Sequence, residues 1–181
     1  MHTVWVRLNA VVFFGLTVLL GLSCLAGFSK IMHSQMHQPI IETLELQTLR
    51  SIKSHGGVDR ALLSFNIDAD MNPAFHWNVK QLFVYVVASY TTPSKEINNV
   101  VIWDTIIENI DSTKKKHIQQ TNVFVKYALV DQGNELRGKD VTLKLMWDHM
   151  PITGFVYMDE QKNLDPSMST FTLPSEYSSL K

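Results

Sequence analysis

The chain has 181 residues, enough for one ordinary domain and an appendage. With 16 basic and 17 acidic side chains its net charge is −1, which excludes the strongly basic footprint of a nucleic-acid binder. The single cysteine, Cys24, excludes an intrachain disulfide framework, so stability must come from a hydrophobic core.

The mean hydropathy of zero is high for a soluble domain and points to one concentrated apolar segment. That segment is Leu8–Ser29, free of charged side chains and bounded by Arg7 and Lys30. Its 22 residues span about 33 Å as a helix, close to the bilayer hydrocarbon thickness. The hydroxyls of Thr17, Ser23 and Ser29 can bond the carbonyl one turn back, and Asn9 lies near the end. A cleaved signal peptide is the competing reading, but its apolar core runs to only about 7–15 residues. The length therefore predicts an uncleaved signal-anchor helix over 8–28, a short N-terminus at 1–7 and a juxtamembrane connector at 29–39. Flanking charge is nearly balanced between Arg7 and Lys30. The short lead before an early apolar run favours a cytosolic N-terminus and a single-pass type II arrangement. Gly15, Gly21 and Gly27 recur at a spacing of six, which is not GxxxG; they read equally well as glycines in a lipid-facing helix.

From residue 40 the pattern changes. Residues 40–49 fit strand or helix, and Ser54–Asp59, with Gly56-Gly57, reads as a loop. Arg60–Asp70 alternates strictly: Ala61, Leu63, Phe65, Ile67 and Ala69 form a buried face. Val79–Tyr90 is apolar on both faces and predicts a central strand. Asn98–Ile110 predicts another, with Val101 and Trp103 on one side and Val100, Ile102 and Asp104 on the other. Val123–Val130 and Val141–Trp147 also read as strands. The turn Asp131–Asn134 offers Gly133 for a positive φ. Phe155–Met158 adds a short strand, and the tail after Asp159 reads as loosely ordered at its end. Short strands separated by turns, with no ordinary helix after the anchor, predict a mainly β, antiparallel sandwich-like domain over 40–181.

Residues able to carry chemistry are sparse. His33 and His37 have helical ligand spacing but no third ligand nearby. Asp148-His149 could form half a triad, yet no GxSxG-type turn presents a serine. Lys114-Lys115-Lys116 reads as a solvated charge run, and Gly56-Gly57 alone is no phosphate loop. There is no N-x-[ST] sequon. Trp77, Trp103 and Trp147 fit either the core or an interface. No catalytic, cofactor-binding or metal-ligating set is expected. On the residues alone, a membrane-tethered hydrolase and an adhesion or ligand-binding sandwich remain open alternatives.

Several segments together resemble one family: Met1–Phe28, Leu63–Met71, Phe75–Tyr90, Asn99–Ile107, Tyr127–Leu145 and Met146–Gly154. The W-N-x-K-Q-L-F run at Trp77–Phe83, Trp103-Asp104, the M-W-x-x-M-P run at Met146–Pro151 and the Leu173-Pro174-x-x-Tyr177 ending carry the likeness. This is similar to the third subunit of the endoplasmic-reticulum signal peptidase complex, over nearly the whole chain. The resemblance implies an accessory, non-catalytic subunit with a luminal domain in the endoplasmic-reticulum membrane. Its partners would be the catalytic subunit, the other accessory subunits and lipid, without cofactor, small-molecule ligand or nucleic acid. Some members carry a sequon where this chain has Asp140-Val141-Thr142, so their glycosylation is not expected here.

Overall fold

A computed structural model describes residues 3–109, 116–162 and 165–178, and the chain forms two compact units, 1–38 and 39–181. The first is one α-helix, α1 (Val4–Met36). The most apolar 18 residues within its stretch Val4–Ser29 have a mean hydropathy of 2.3, and none of them is buried. The 26 residues of that stretch measure about 39 Å along the axis, enough to cross a bilayer. Two hydroxyls fold back onto the helix, Thr17 to the Phe13 carbonyl at 2.8 Å and Ser29 to the Ala26 carbonyl at 3.0 Å. Both polar groups are thus satisfied without water. The helix runs on through residues 29–36, so only 37–39 link it to the first strand.

The second unit opens with β1 (Ile40–His55) and β2 (Val58–Asp70), an antiparallel hairpin. Gly56 and Gly57 form its two-residue turn at φ +63° and +82°. Positive φ at both positions gives the turn the twist of the flanking strands, which is why glycine serves there. A single 3-10 turn (Asn72–Ala74) leads across to β3 (Val79–Thr92) and β4 (Lys95–Glu108). Then come β5 (His117–Phe124), β6 (Leu129–Val130), β7 (Asp140–Pro151) and β8 (Tyr157–Glu160). A four-residue helix, α2 (Pro166–Ser169), precedes β9 (Thr170–Thr172).

The strands form two antiparallel sheets. The first has the order β1-β2-β5, with β6 also on β2; the second has β4-β3-β7-β8, with β9 also on β7. Alternation on β2 sends Ala61, Leu63, Phe65, Ile67 and Ala69 inward, all at most 1% exposed. They meet Leu82, Val84, Val86 and Ala88 of β3 and Val141, Leu143, Leu145 and Trp147 of β7 in one core. Phe65 and Trp103 join the sheets edge to face, with centroids 6.0 Å apart. Burying each large side chain contributes about 1.5–3 kcal/mol. Trp103 and Trp147, at 4% and 1% exposed, are therefore core residues, whereas Trp77 is 66% exposed.

Several sequence expectations change: the loop expected over Ser54–Asp59 shrinks to Gly56-Gly57, and the strand expected at Phe155–Met158 spans Tyr157–Glu160. Val101 and Trp103 do not share a face. A β-bulge shifts the register, so that Val86 faces Trp103 while Val87 faces Val101. One extra residue in a strand inverts the alternation beyond it. The strand expected at Val123–Val130 is two pieces: β5 starts earlier, at His117, and the chain leaves the sheet at Val125 before returning as β6. The polar run His117–Asn122 hides that strand because most of it is exposed. Gly133 does not adopt positive φ. The Asp131 carboxylate shapes that turn by accepting from the amides of Gly133 and Glu135, each at 3.2 Å.

The segment after Asp159 is tied down through Ser178. β9 pairs with β7, Leu173 is 2% exposed, and the Ser178 amide donates to the Ile52 carbonyl at 2.8 Å. Tyr177 reaches the wholly buried Asp59, whose second oxygen accepts from the Leu136 amide at 3.3 Å.

Candidate functional site

The sheets differ on the sides that face away from the core. On the first sheet that side is mostly polar and bonded to itself. The Asn66 amide donates to Glu45 at 3.0 Å and to Gln47 at 2.7 Å, and accepts from the Asn122 backbone at 2.9 Å. Gln119 donates to Asp68 at 2.9 Å, and His117 contacts the same carboxylate.

The second sheet presents an apolar outer face. Strand β3 is its centre, and residues alternating with its core set, Phe83, Tyr85 and Val87, point outward. Tyr85 and Val87 are 9% and 3% exposed yet lie outside the core cluster. Their neighbours across the ladders are Ile106, Asp104 and Val101 on β4, and Asp148, Met146 and Lys144 on β7. Met158 of β8 lies opposite Asp148. Val101, Ile106 and Met158 are exposed. Phe83 and Tyr85 pack with centroids 5.3 Å apart. A contiguous face of this kind, with two methionines that adapt their shape, suits contact with another protein.

Asp104, Lys144, Asp148 and Glu160 interrupt this face with charge, and Tyr85 adds a hydroxyl. The Tyr85 hydroxyl donates to Asp148 at 3.5 Å. Burial pushes the Asp148 carboxyl up from its ordinary range, and the Tyr85 bond partly offsets this. Burial, then the Asp148 charge, pushes the Tyr85 phenol up. At the rim, Lys126 lies 3.5 Å from the Asp104 carboxylate and donates to the Asp104 carbonyl at 2.7 Å.

Asp148 and His149 point to opposite faces of β7, so they do not form a pair. His149 is 2% exposed and accepts from the Trp147 indole at 3.0 Å. It stacks on Tyr157 at 4.2 Å, and the Asp159 carboxylate lies 3.4 Å from the same ring nitrogen. That nitrogen cannot both accept from the indole and donate to Asp159. Both contacts converge on that one nitrogen, so it serves one of them at a time. A ring so enclosed cannot reach a substrate. It packs the core against β8.

The His33 side chain and Lys114 and Lys115 lie outside the described residues. Lys116 places its ammonium over the Phe75 ring at 4.2 Å. Among the described residues no group of three or more His, Cys, Asp or Glu side chains could hold a metal ion. Cys24 is exposed on α1. The outward face of β3 is foreshadowed by the two-sided apolar run, but its partners on β4 and β8 are not. Ladder register decides them.

Comparison with known proteins adds the family. A family model described as "Signal peptidase subunit" matches residues 1–176. The protein named "Signal peptidase complex subunit 3" in Gallus gallus is 34% identical over 161 residues, covering 86% of this chain and 87% of its own. Its namesake in Caenorhabditis elegans is 32% identical over 179 residues, covering 95% and 97%. The Homo sapiens protein of that name is 32% identical over 161 residues, covering 86% and 87%. With the match running from the apolar helix through the last strand, this chain belongs to the signal peptidase subunit family.

Proposed function

We propose that this chain is an accessory, non-catalytic subunit of the endoplasmic-reticulum signal peptidase complex, and that it holds the separate catalytic subunit in position. In this reading residues 8–28 are an uncleaved type II signal-anchor, 1–7 lie in the cytosol, 29–39 lead out of the bilayer and 40–181 are luminal. The apolar outer face of the second sheet carries the reading, because a face built from Phe83, Tyr85, Val101, Ile106, Met146 and Met158 gains by being covered. The catalytic subunit is the occupant in this reading, with the other accessory subunits as further partners.

The test is a pair of charge substitutions on that face, Ile106→Asp with Met158→Asp, in the full-length chain purified in mild detergent. Both positions are more than half exposed, so the domain should stay folded and resist limited proteolysis. The catalytic subunit should be lost from the purified material, and unprocessed precursors should accumulate. Undiminished co-purification with normal processing would overturn the proposal.

A further inference from the structure

A second exposed apolar cluster sits at one end of the β domain. Strand β2 ends there at Asp70, β3 starts at Val79, β7 ends at Pro151 and β8 starts at Tyr157. The connections 71–78 and 152–156 therefore lie side by side. Trp77, Ile152, Phe155 and Val156 stand on them at 66%, 66%, 78% and 57% exposure.

Buried hydrogen bonds hold these connections together. Asn78 is 2% exposed; its side-chain amide donates to the Thr153 carbonyl at 2.9 Å and accepts from the Thr153 amide and hydroxyl, both at 3.1 Å. The Asn78 carbonyl accepts from the Ile152 amide at 2.8 Å. A buried polar residue thus braces a set of outward apolar ones, the reverse of an ordinary surface loop. Gly154 turns the second connection at φ +102°.

The chain also enters the domain at this end. Ile40, which opens β1, pairs with Asp70 and is 57% exposed. Residues 37–39 alone separate α1 from it. Four peptide units join Met36 to Ile40 and reach at most about 14 Å. Lys80 and Lys116 also lie at this end, beside Asp70, with the Lys116 ammonium donating to Asn109 over the Phe75 ring.

We propose that the Trp77–Phe155 tip sits in the polar–apolar boundary of the bilayer, its side chains among phospholipid headgroups and upper acyl chains. The proposal rests on reading α1 as a membrane span, and not on the peptidase role. Indole and phenyl rings favour that boundary, and side chains on two tight connections can enter a fluid interface without a matching pocket.

The test uses the full-length chain in phospholipid vesicles, with an environment-sensitive fluorophore on single cysteines placed in a Cys24→Ser background. The positions are Phe155→Cys, Ile97→Cys (73% exposed at the opposite end of the domain) and Leu16→Cys in the helix. Lipids carrying a quencher near the headgroup should quench position 155 several-fold more than position 97, with blue-shifted emission at 155. A label at 155 as wet as that at 97 overturns the proposal. Failure of chain-centre quenchers to reach position 16 removes the span reading and this proposal with it. In the complex purified through this chain, a photo-crosslinking residue at 155 should label lipid. A protein adduct there would assign the tip to a partner instead and overturn the lipid reading.

Discussion

The Tyr177 hydroxyl donates to the Asp59 carboxylate at 2.8 Å, joining residues 118 positions apart. Asp59 is wholly buried, and the Arg137 guanidinium stacks on the Tyr177 ring at 4.5 Å with its Nε 3.9 Å from the same carboxylate. Tyr177→Phe removes one donor from a buried acceptor and should cost about 1–3 kcal/mol. A lowered melting temperature and earlier proteolytic loss of residues after Leu173 would show it. An unchanged melting curve would mean that water replaces the hydroxyl.

High pH should unfold the domain through its tyrosines. Burial, then the Asp159 charge, pushes the Tyr157 phenol up to about 12. Burial also raises Tyr90, whose hydroxyl donates to Asp131 at 2.9 Å. A folded-state value above the unfolded value of about 10 contributes stability that is full below pH 10. That contribution falls away as pH rises from 10 towards 12. Phenolate absorbance should therefore lag behind that of free tyrosine and then appear together with the loss of the circular-dichroism signal.

Asp148→Asn should flatten part of the acid-side stability profile. Because burial raises the Asp148 value, the parent is favoured while the group is protonated and loses that contribution as pH climbs through the raised value. The amide keeps the shape without the ionisation. Melting temperatures of the two proteins should converge at low pH, with the variant equal or higher at neutral pH.

Shortening the anchor should expose it to cleavage. Deleting residues 11–20 leaves an apolar run of about 12 residues, inside the range of about 7–15 that marks a signal peptide. A tagged chain in microsomes should then yield a truncated product. Its absence would mean that something other than length protects the segment.

The domain's skeleton was legible where one side chain in two had to be buried. β2 and β7 follow that alternation through Phe65 and Trp147, and the two-sided character of β3 follows from its unbroken apolar run. The bulge that separates Val101 from Trp103 was not legible, because it exists only in register with Val86 and Val87. Nor was β5, where Gln119 and Gln120 are both exposed and apolar alternation is missing. The outward apolar face was half legible. Phe83 and Tyr85 announced it, but its extension to Ile106 and Met158 depends on pairings between distant segments. The Asn78 brace left no local signal at all, since its partner Thr153 lies 75 residues on.

The outer edge of β1 has a further consequence. Register shifts at Ile41/Thr43, Leu46/Thr48 and Leu49/Ser51 kink it three times, and Ser178 occupies the backbone groups of Ile52. Glu42, Glu45, Arg50 and Lys53 scatter both signs of charge along it. An edge so interrupted is a poor template for another strand. Such an edge leaves the first sheet closed to strand addition from a neighbouring chain.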